Sequence, residues 1–374
     1  MKTKAFLFGI PVVLIITIGG LSAYTSVTPI TSCEPIGNAR PLCGWQNPED
    51  MAVLPDGRYV VVSEYGGQNG AQTGALALLD SATETRQLLY AGGDIDQQPS
   101  WGTDDCSTPP GAAFSPHGIH LSQRQDGALQ LLVVQHGGRE SVEMFEVRES
   151  AENTKLIWRG CVIAPAENMF NDVVATPDGG FLATHWMTPG QSAPAMFVEF
   201  LRGSLLGADT GYVLSWQPDA GFGRLESSWG GVPNGIEISA DGETVFVNYS
   251  ANGEVRRINR RLDQVEASND ALPPLDNATW APDGRLLVAG AVDGPLKMMG
   301  CSNLQEGSCP GAYAIWAVDP ETLESVKVYE GGPGTPGGAG TVGLQLRDGS
   351  LLIGTFAGDR IVRVALRQNA MEME

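Results

Sequence analysis

Residues 233–249 read PNGIEISADGETVFVNY, and this stretch decides the fold. A polar start, Asn234, leads into the alternating run Ile236-Glu237-Ile238. The pair Asp241-Gly242 separates it from a second β-rich run, ETVFVNY. Asp-Gly between two such runs is a strong hairpin signal, because both central residues tolerate positive φ. The unit recurs at Asp56-Gly57, Asp126-Gly127, Asp178-Gly179, Asp283-Gly284 and Asp348-Gly349, followed by RYVVVSE, ALQLLVVQH, GFLATH, RLLVAG and SLLIGT. The six occurrences lie 70, 52, 63, 42 and 65 residues apart. Such uneven spacing fits four-stranded blades with variable loops better than a solenoid of fixed repeat. The fold expected is all-β, a six-bladed β-propeller, with a double β-sandwich as the alternative.

Composition agrees. The 374 residues include 48 Gly and 24 Pro, with 42% apolar and 18% charged residues. That is too hydrophobic for a disordered chain and too turn-rich for a helical bundle. The net charge of −20, from 43 acidic and 23 basic residues, repels phosphate backbones and excludes nucleic acid and anionic membrane surfaces as partners. Carboxylates suit hard cations such as calcium. At the N-terminus Lys2 and Lys4 precede an apolar run over 5–21, the pattern of a targeting segment. Cleavage after Ala23 and retention as an anchor both stay open. The chain divides into 1–23 (signal peptide or anchor), 24–46 (N-terminal extension) and 47–374 (propeller). Export to the periplasm or cell exterior follows, with membrane contact only through a retained N-terminal segment. In that setting the six cysteines read as disulfides, and no C-x-x-C pair suggests zinc. The expected pairing is Cys33–Cys43, Cys106–Cys161 and Cys301–Cys309, one of 15 arithmetic possibilities.

Seven residues before the turn aspartate stand Glu49, Asn171, Asn234, Asp276 and Thr341. In the second unit, whose strand is two residues longer, His117 stands nine before. Their successors are Asp50, Asp172, Gly235, Asn277, Val342 and Gly118. Equivalent strand starts ring the central channel of a propeller. A single Asn or Asp at such a place is ordinary turn chemistry. Recurrence at one offset from an independent marker points instead to ligands assembled by symmetry. Glu49, Asn171, Asn234, Asp276 and Asn277 supply five oxygen donors with two formal negative charges. Calcium takes roughly six to eight oxygens, so water or substrate would complete the shell, whereas zinc prefers His or Cys. The expectation is a central calcium channel.

These segments resemble the paraoxonase/arylesterase family, within the wider group of gluconolactonase- and strictosidine-synthase-like propellers. The resemblance runs from about Asn47 to Leu366. It is carried by PEDMAVLPDG (48–57), SPHGIHLS (115–122), LLVVQHGGRESVEMFEV (131–147), FNDVVA (170–175), PNGIEISADG (233–242), LDNATWAPDG (275–284) and TVGLQLRDGSLLIGTF (341–356) in that order. It implies two calcium ions in the channel. The catalytic ion would take the five residues named above; a structural ion would take Asp50, Asp172 and the Ile119 carbonyl. It also implies that His117 and His136 form a proton-transfer pair at the channel mouth.

Imidazole is suited to accepting a proton from water near neutral pH, and a cation in a low-dielectric channel would stabilise an oxyanion. The alternative for the pair is structural: His117 merely fills its ring position and His136 ends a strand. His120 reads as structural, and His185 and Thr341 as substrate-pocket positions. No Gly-x-Ser-x-Gly elbow or P-loop is present, and the Gly/Pro-rich stretch from Gly331 to Gly340 lacks the Lys and the following helix of a nucleotide-binding turn and reads as a loop. The chain departs from the family pattern at Ala291, where a further histidine would fall, and no cysteine follows Cys309 to tie the chain ends. AMFVEFLRGSLLG (195–207) reads as a helical insertion, either a lid with Phe197, Phe200 and Leu201 in its wall or an outer helix. The implied activity is calcium-dependent hydrolysis of lactones and aryl esters as small-molecule substrates. A sugar-lactone hydrolase and a non-catalytic calcium-stabilised binding propeller are the alternatives.

Overall fold

The computed structural model describes residues 27–67, 72–150, 153–301, 304 and 306–366; the expected targeting segment lies outside them. Twenty-four strands form six antiparallel four-stranded sheets. The first strand, β1 (Ala39–Cys43), belongs to the last blade. Blade one is β2 (Pro48–Val53), β3 (Tyr59–Glu64), β4 (Ala75–Asp80) and β5 (Thr85–Tyr90). Blade two is β6 (Pro116–Gln123), β7 (Leu129–Gln135), β8 (Ser141–Ser150) and β9 (Asn153–Ile163). Blade three is β10 (Met169–Ala175), β11 (Phe181–Met187), β12 (Gly211–Gln217) and β13 (Gly221–Gly230). Blade four is β14 (Pro233–Ile238), β15 (Thr244–Tyr249), β16 (Glu254–Asn259) and β17 (Gln264–Asn269). Blade five is β18 (Leu275–Trp280), β19 (Leu286–Ala291), β20 (Tyr313–Val318) and β21 (Ser325–Gly331). Blade six takes β22 (Gly340–Gln345), β23 (Ser350–Thr355) and β24 (Arg360–Ala365) from the end of the chain and β1 as its outermost strand. The six-bladed propeller expected from the repeats is the fold found.

Closure of the ring thus uses strand pairing rather than a disulfide between the ends. β1 runs antiparallel to β24, from Ala39 opposite Val364 to Cys43 opposite Arg360. The stretch 24–46, expected as an extension ahead of the propeller, therefore contributes one strand to it. The three disulfides join the expected partners, Cys33–Cys43 beside β1, Cys106–Cys161 and Cys301–Cys309.

The second strands, such as YVVVSE, carry unbroken apolar runs at their centres because both faces of each blade are covered by neighbours. Val61 packs toward blade two with Leu131 and Phe145, while Val60 and Val62 pack toward blade six with Val342 and Leu352. Side chains alternate across a strand, so successive valines serve different interfaces. Comparable apolar clusters fill the gaps between every other adjacent pair of blades.

The Asp-Gly turns differ from expectation in one respect. At all six, only the glycine takes positive φ, from 72° at Gly242 to 87° at Gly179 and Gly284. The aspartate stays at negative φ and uses its carboxylate. Asp56, Asp126, Asp241, Asp283 and Asp348 each accept the backbone N–H two residues on, through Oδ1. The motif is an Asx turn closed by a left-handed glycine, and asparagine or aspartate is selected by hydrogen bonding. The helical insertion is α1 (Ala193–Leu206), ended by Gly207 at φ 61°. A short α2 (Pro295–Cys301) follows β19. Both helices leave from the end of a blade's second strand, the same face of the disc on which the innermost strands begin.

Candidate active site in the channel

Each innermost strand, β2, β6, β10, β14, β18 and β22, breaks register where its polar start stands. The irregularities fall at Pro48/Asp50, Pro116/Ile119, Phe170/Val173, Pro233/Ile236, Leu275/Ala278 and Gly340/Val342. A bulge re-aims side chains locally. Six bulges at one height turn Glu49, His117, Asn171, Asn234, Asp276 with Asn277, and Thr341 away from the regular ladder. All but the half-buried Asp276 are buried.

The ring is cross-braced. Asn277 donates through Nδ2 to Glu49 Oε1 at 2.8 Å, and Thr341 Oγ1 donates to the Glu49 carbonyl at 2.8 Å. Thr184 Oγ1 donates to the Asn234 carbonyl at 2.6 Å, and Asn248 Nδ2 to the Asp276 carbonyl at 2.7 Å. Asn234 donates through Nδ2 to Ser250 Oγ at 3.1 Å. Among these contacts, four buried ring oxygens find no partner: Glu49 Oε2, Asn171 Oδ1, Asn234 Oδ1 and Asn277 Oδ1. Buried polar atoms are normally satisfied, and an orphan costs about 1–3 kcal/mol. Four orphaned acceptors on four blades are the donor set a hard cation takes, and they belong to the five residues expected to bind calcium.

The charges point the same way. Burial first, then the charges of Asp50, Asp276 and Asp172, pushes Glu49 well above the usual carboxylate range. Burial lifts Asp276 to about 7 and Asp50 to about 7. Asp172 is likewise raised by burial and by the charge of Asp50. No Lys or Arg forms an ion pair with these four among the described residues. A like-charged, desolvated cluster either holds protons or holds a cation.

Asp50 and Asp172 do different work from the orphans. Asp50 accepts Met51 N–H at 2.8 Å and, across to blade two, Ile119 N–H at 2.7 Å. Asp172 accepts Val173 N–H at 2.8 Å and, across to blade four, Ile236 N–H at 2.9 Å. Each carboxylate ties two innermost strands together.

At the mouth, His117 Nδ1 lies 2.9 Å from His136 Nε2, and His136 Nδ1 lies 2.8 Å from Glu140 Oε2. His117 Nε2 looks toward Glu49 Oε1 at 3.6 Å. Tyr65 stacks on His117 with ring centroids 4.6 Å apart, and Trp186 meets it edge-on at 6.4 Å. Burial, then His136, pushes His117 well below the usual imidazole range, which favours its neutral form. The structure therefore brings His117 and His136 together next to the ring. His185 stands apart, its Nδ1 accepting Met169 N–H at 3.2 Å and its ring against Tyr212 inside blade three. The Thr341 hydroxyl is turned onto Glu49. His120 accepts Ala175 N–H at 3.2 Å, in keeping with a structural role.

Sequence reasoning missed Glu140, Tyr65 and Trp186, which lie in loops or at strand ends without the repeat offset. Trp186 also packs with Met196 and Phe200 of α1 against Val232 and Ala251. Phe200 is thus packed on the blade end beneath α1, whereas Val198, Leu205 and Leu206 are exposed.

Fold and site together define a six-bladed propeller with an oxygen-rich channel and a histidine pair at its mouth. The chain belongs to the arylesterase family, whose model matches residues 46–357, as the sequence resemblance implied. It is 27% identical over 211 residues to human serum paraoxonase/arylesterase 1, a match covering 53% of this chain and 52% of that protein. The chain thus spans about half the length of that curated relative. Among solved structures it is similar to a gluconolactonase from Xanthomonas campestris, with a TM-score of 0.50 and 15% identity over 91% of this chain and 94% of that one. It is similar also to a luciferin-regenerating enzyme, with a TM-score of 0.50 and 10% identity over 87% and 92% of the two chains. These two likenesses show the shared propeller fold alone.

Proposed function

We propose that this chain is a calcium-dependent hydrolase of lactones and aryl esters. The observation that carries the reading is the set of four buried, unpartnered oxygens on Glu49, Asn171, Asn234 and Asn277, next to the His117–His136 pair. With Asp276 they would hold one calcium ion. Bound there, it would polarise the substrate carbonyl and stabilise the oxyanion. Asp50 and Asp172 would hold a second, structural ion with the Ile119 carbonyl; its support is their buried charge, since their oxygens already accept backbone hydrogen bonds.

The chain's own groups supply the proton chemistry. His117 is buried, which favours its neutral form, and its Nδ1 is engaged by His136, so Nε2 is the nitrogen that receives the proton of the attacking water. Among the ring amides, those of Asn234 and Asn277 are committed to Ser250 and Glu49. The Asn171 amide and the second N–H of Asn234 are then left to donate to a substrate oxygen. Tyr65 and Trp186 flank His117 and hold its ring in place while excluding water from that side. The three disulfides favour an exported protein, and no described helix is long and apolar enough to cross a membrane.

The test is hydrolysis of a panel of aliphatic lactones, sugar lactones and phenyl esters by purified protein in calcium buffer. Turnover of lactones and phenyl esters supports the reading, and turnover of sugar lactones alone would move the substrate class. No hydrolysis of any member, with calcium bound, would leave a binding propeller.

A further inference from the structure

We infer that Glu140 is a positioning residue for the histidine pair: its carboxylate dictates which nitrogen of each imidazole carries a proton, and so keeps His117 Nε2 bare. The inference rests on the hydrolase reading for its consequence, and on geometry alone for the arrangement itself.

Glu140 stands in the loop between β7 and β8, four residues after His136. Two donors converge on it. Phe170 N–H reaches Oε1 at 2.8 Å and His136 Nδ1 reaches Oε2 at 2.8 Å. A backbone N–H can only donate, and an ionised carboxylate can only accept. His136 therefore carries its proton on Nδ1. In the neutral form of His136 the Nδ1–H is its single N–H, and Nε2 is then a lone pair 2.9 Å from His117 Nδ1. His117 must then donate from Nδ1, and its Nε2, 3.6 Å from Glu49 Oε1, is left unprotonated. The order is Glu140, His136, His117, channel. The side chain of His136 is 1% exposed and that of Glu140 is 19% exposed, so water does not compete at the inner link. The bond to Phe170 also ties the relay to β10, one residue before Asn171.

The arrangement has the logic of a carboxylate–imidazole pair extended by one imidazole. As water oxygen bonds to the carbonyl carbon, its proton passes to His117 Nε2. The Nδ1 proton of His117 moves to His136 Nε2, and the resulting imidazolium lies with Nδ1–H on the Glu140 carboxylate. When the ester C–O bond breaks, the proton returns along the same path to the departing alkoxide. Acid and alcohol form, and the three residues end as they began.

Glutamine is the informative substitution because it keeps the shape but offers one acceptor to two donors. With its oxygen on Phe170, its NH2 faces His136 Nδ1 and selects the Nε2–H tautomer. The chain then reverses and leaves His117 Nε2 protonated. The experiment is proton and nitrogen-15 NMR of the histidines in full-length protein in calcium buffer without substrate, for the parent, Glu140→Gln and Glu140→Asp. Steady-state kinetics, calcium content and melting are measured on the same samples. The parent is expected to show a downfield Nδ1–H resonance from His136 that is lost or moved in Glu140→Gln. In that variant kcat falls by about 10²–10⁴ at similar KM and full calcium content, the range for a disabled general base. Glu140→Asp, still an acceptor-only group, recovers part of kcat and of the resonance. Unchanged histidine resonances in Glu140→Gln would overturn the inference. So would a loss of calcium and melting temperature with the histidine pair undisturbed, since Glu140 would then serve only the backbone of β10. If the parent hydrolyses nothing but the resonances respond as described, the hydrolase reading fails and the assignment of Glu140 stands. If Glu140→Gln does not fold, Glu140→Asp carries the same test: a parental spectrum with kcat lowered by a tenfold or more contradicts the relay.

Discussion

At the residue scale the proton acceptor and the ion's ligands are different side chains. His117 has no orphaned oxygen to offer and is held by His136, so His117→Gln should leave calcium content and melting temperature near the parent's. Turnover should fall by about 10²–10⁴, as for a lost general base. Elemental analysis, melting and kinetics on one preparation check this, and near-parental turnover would move the base to Glu49 or Asp276. Asn234→Ala should behave in the opposite way. It removes an orphaned oxygen, so calcium affinity and the calcium-induced rise in melting temperature should both drop along with activity. Stabilisation by a ligand bound only to the folded state follows mass action, and a calcium titration followed by melting reads it directly. Full calcium stabilisation in Asn234→Ala would remove that residue from the set. The ring residues were legible because symmetry repeats five of them seven residues before the turn aspartate, with His117 nine before it in the longer second unit. Glu140 was not legible, because its partners Phe170 and His136 lie on two blades and nothing in the chain marks their approach.

At the scale of elements, the bulges explain why a strand start can hold a ligand at all. A regular ladder would direct Glu49 and Asn171 into the gaps between blades, among the apolar clusters. The register breaks at Pro48/Asp50 and Phe170/Val173 turn them out of that pattern. Asp50 and Asp172 then secure neighbouring innermost strands by accepting Ile119 N–H and Ile236 N–H. Asp50→Ala leaves two buried backbone donors without an acceptor, a cost of about 1–3 kcal/mol for such a group. It should lower the melting temperature in calcium buffer more than it lowers the kcat of the folded fraction. A variant that melts like the parent yet has lost all turnover would place Asp50 in the chemistry instead. Hairpins and second strands were readable from Asp-Gly and continuous apolar runs, although the turn uses one left-handed residue and an Asx hydrogen bond. The closing strand β1 was not readable. ARPLC has no alternation or turn marker of its own, and its place is set by the open edge of β24 far along the chain.

At the scale of the molecule, an acidic chain concentrates carboxylates around one channel, and among the described residues no Lys or Arg pairs with them. Burial lifts Asp50 and Asp276 from the ordinary 3.8 to about 7 in the folded protein. For a carboxyl whose folded pKa is raised, the stabilising contribution is present when it is protonated, below the unfolded value, and is lost as pH rises through the folded one. Chelator-treated protein should therefore lose stability from these groups between about pH 4 and pH 7. Calcium, bound to the ionised forms, should offset that loss, so the gain in melting temperature on adding calcium should grow across the same window. A gain that is constant, or larger at the acid end, would show that the cluster does not bind the ion. The central claim is that one ion, held by the orphaned ring oxygens, is required for hydrolysis at the histidine pair. Its most direct measurement is turnover of the best lactone or phenyl ester by protein stripped with chelator and then titrated with calcium. Stripping should abolish activity, and calcium should restore it fully as the ring site fills, in step with the melting temperature. Hydrolysis that persists undiminished in the stripped protein would contradict it.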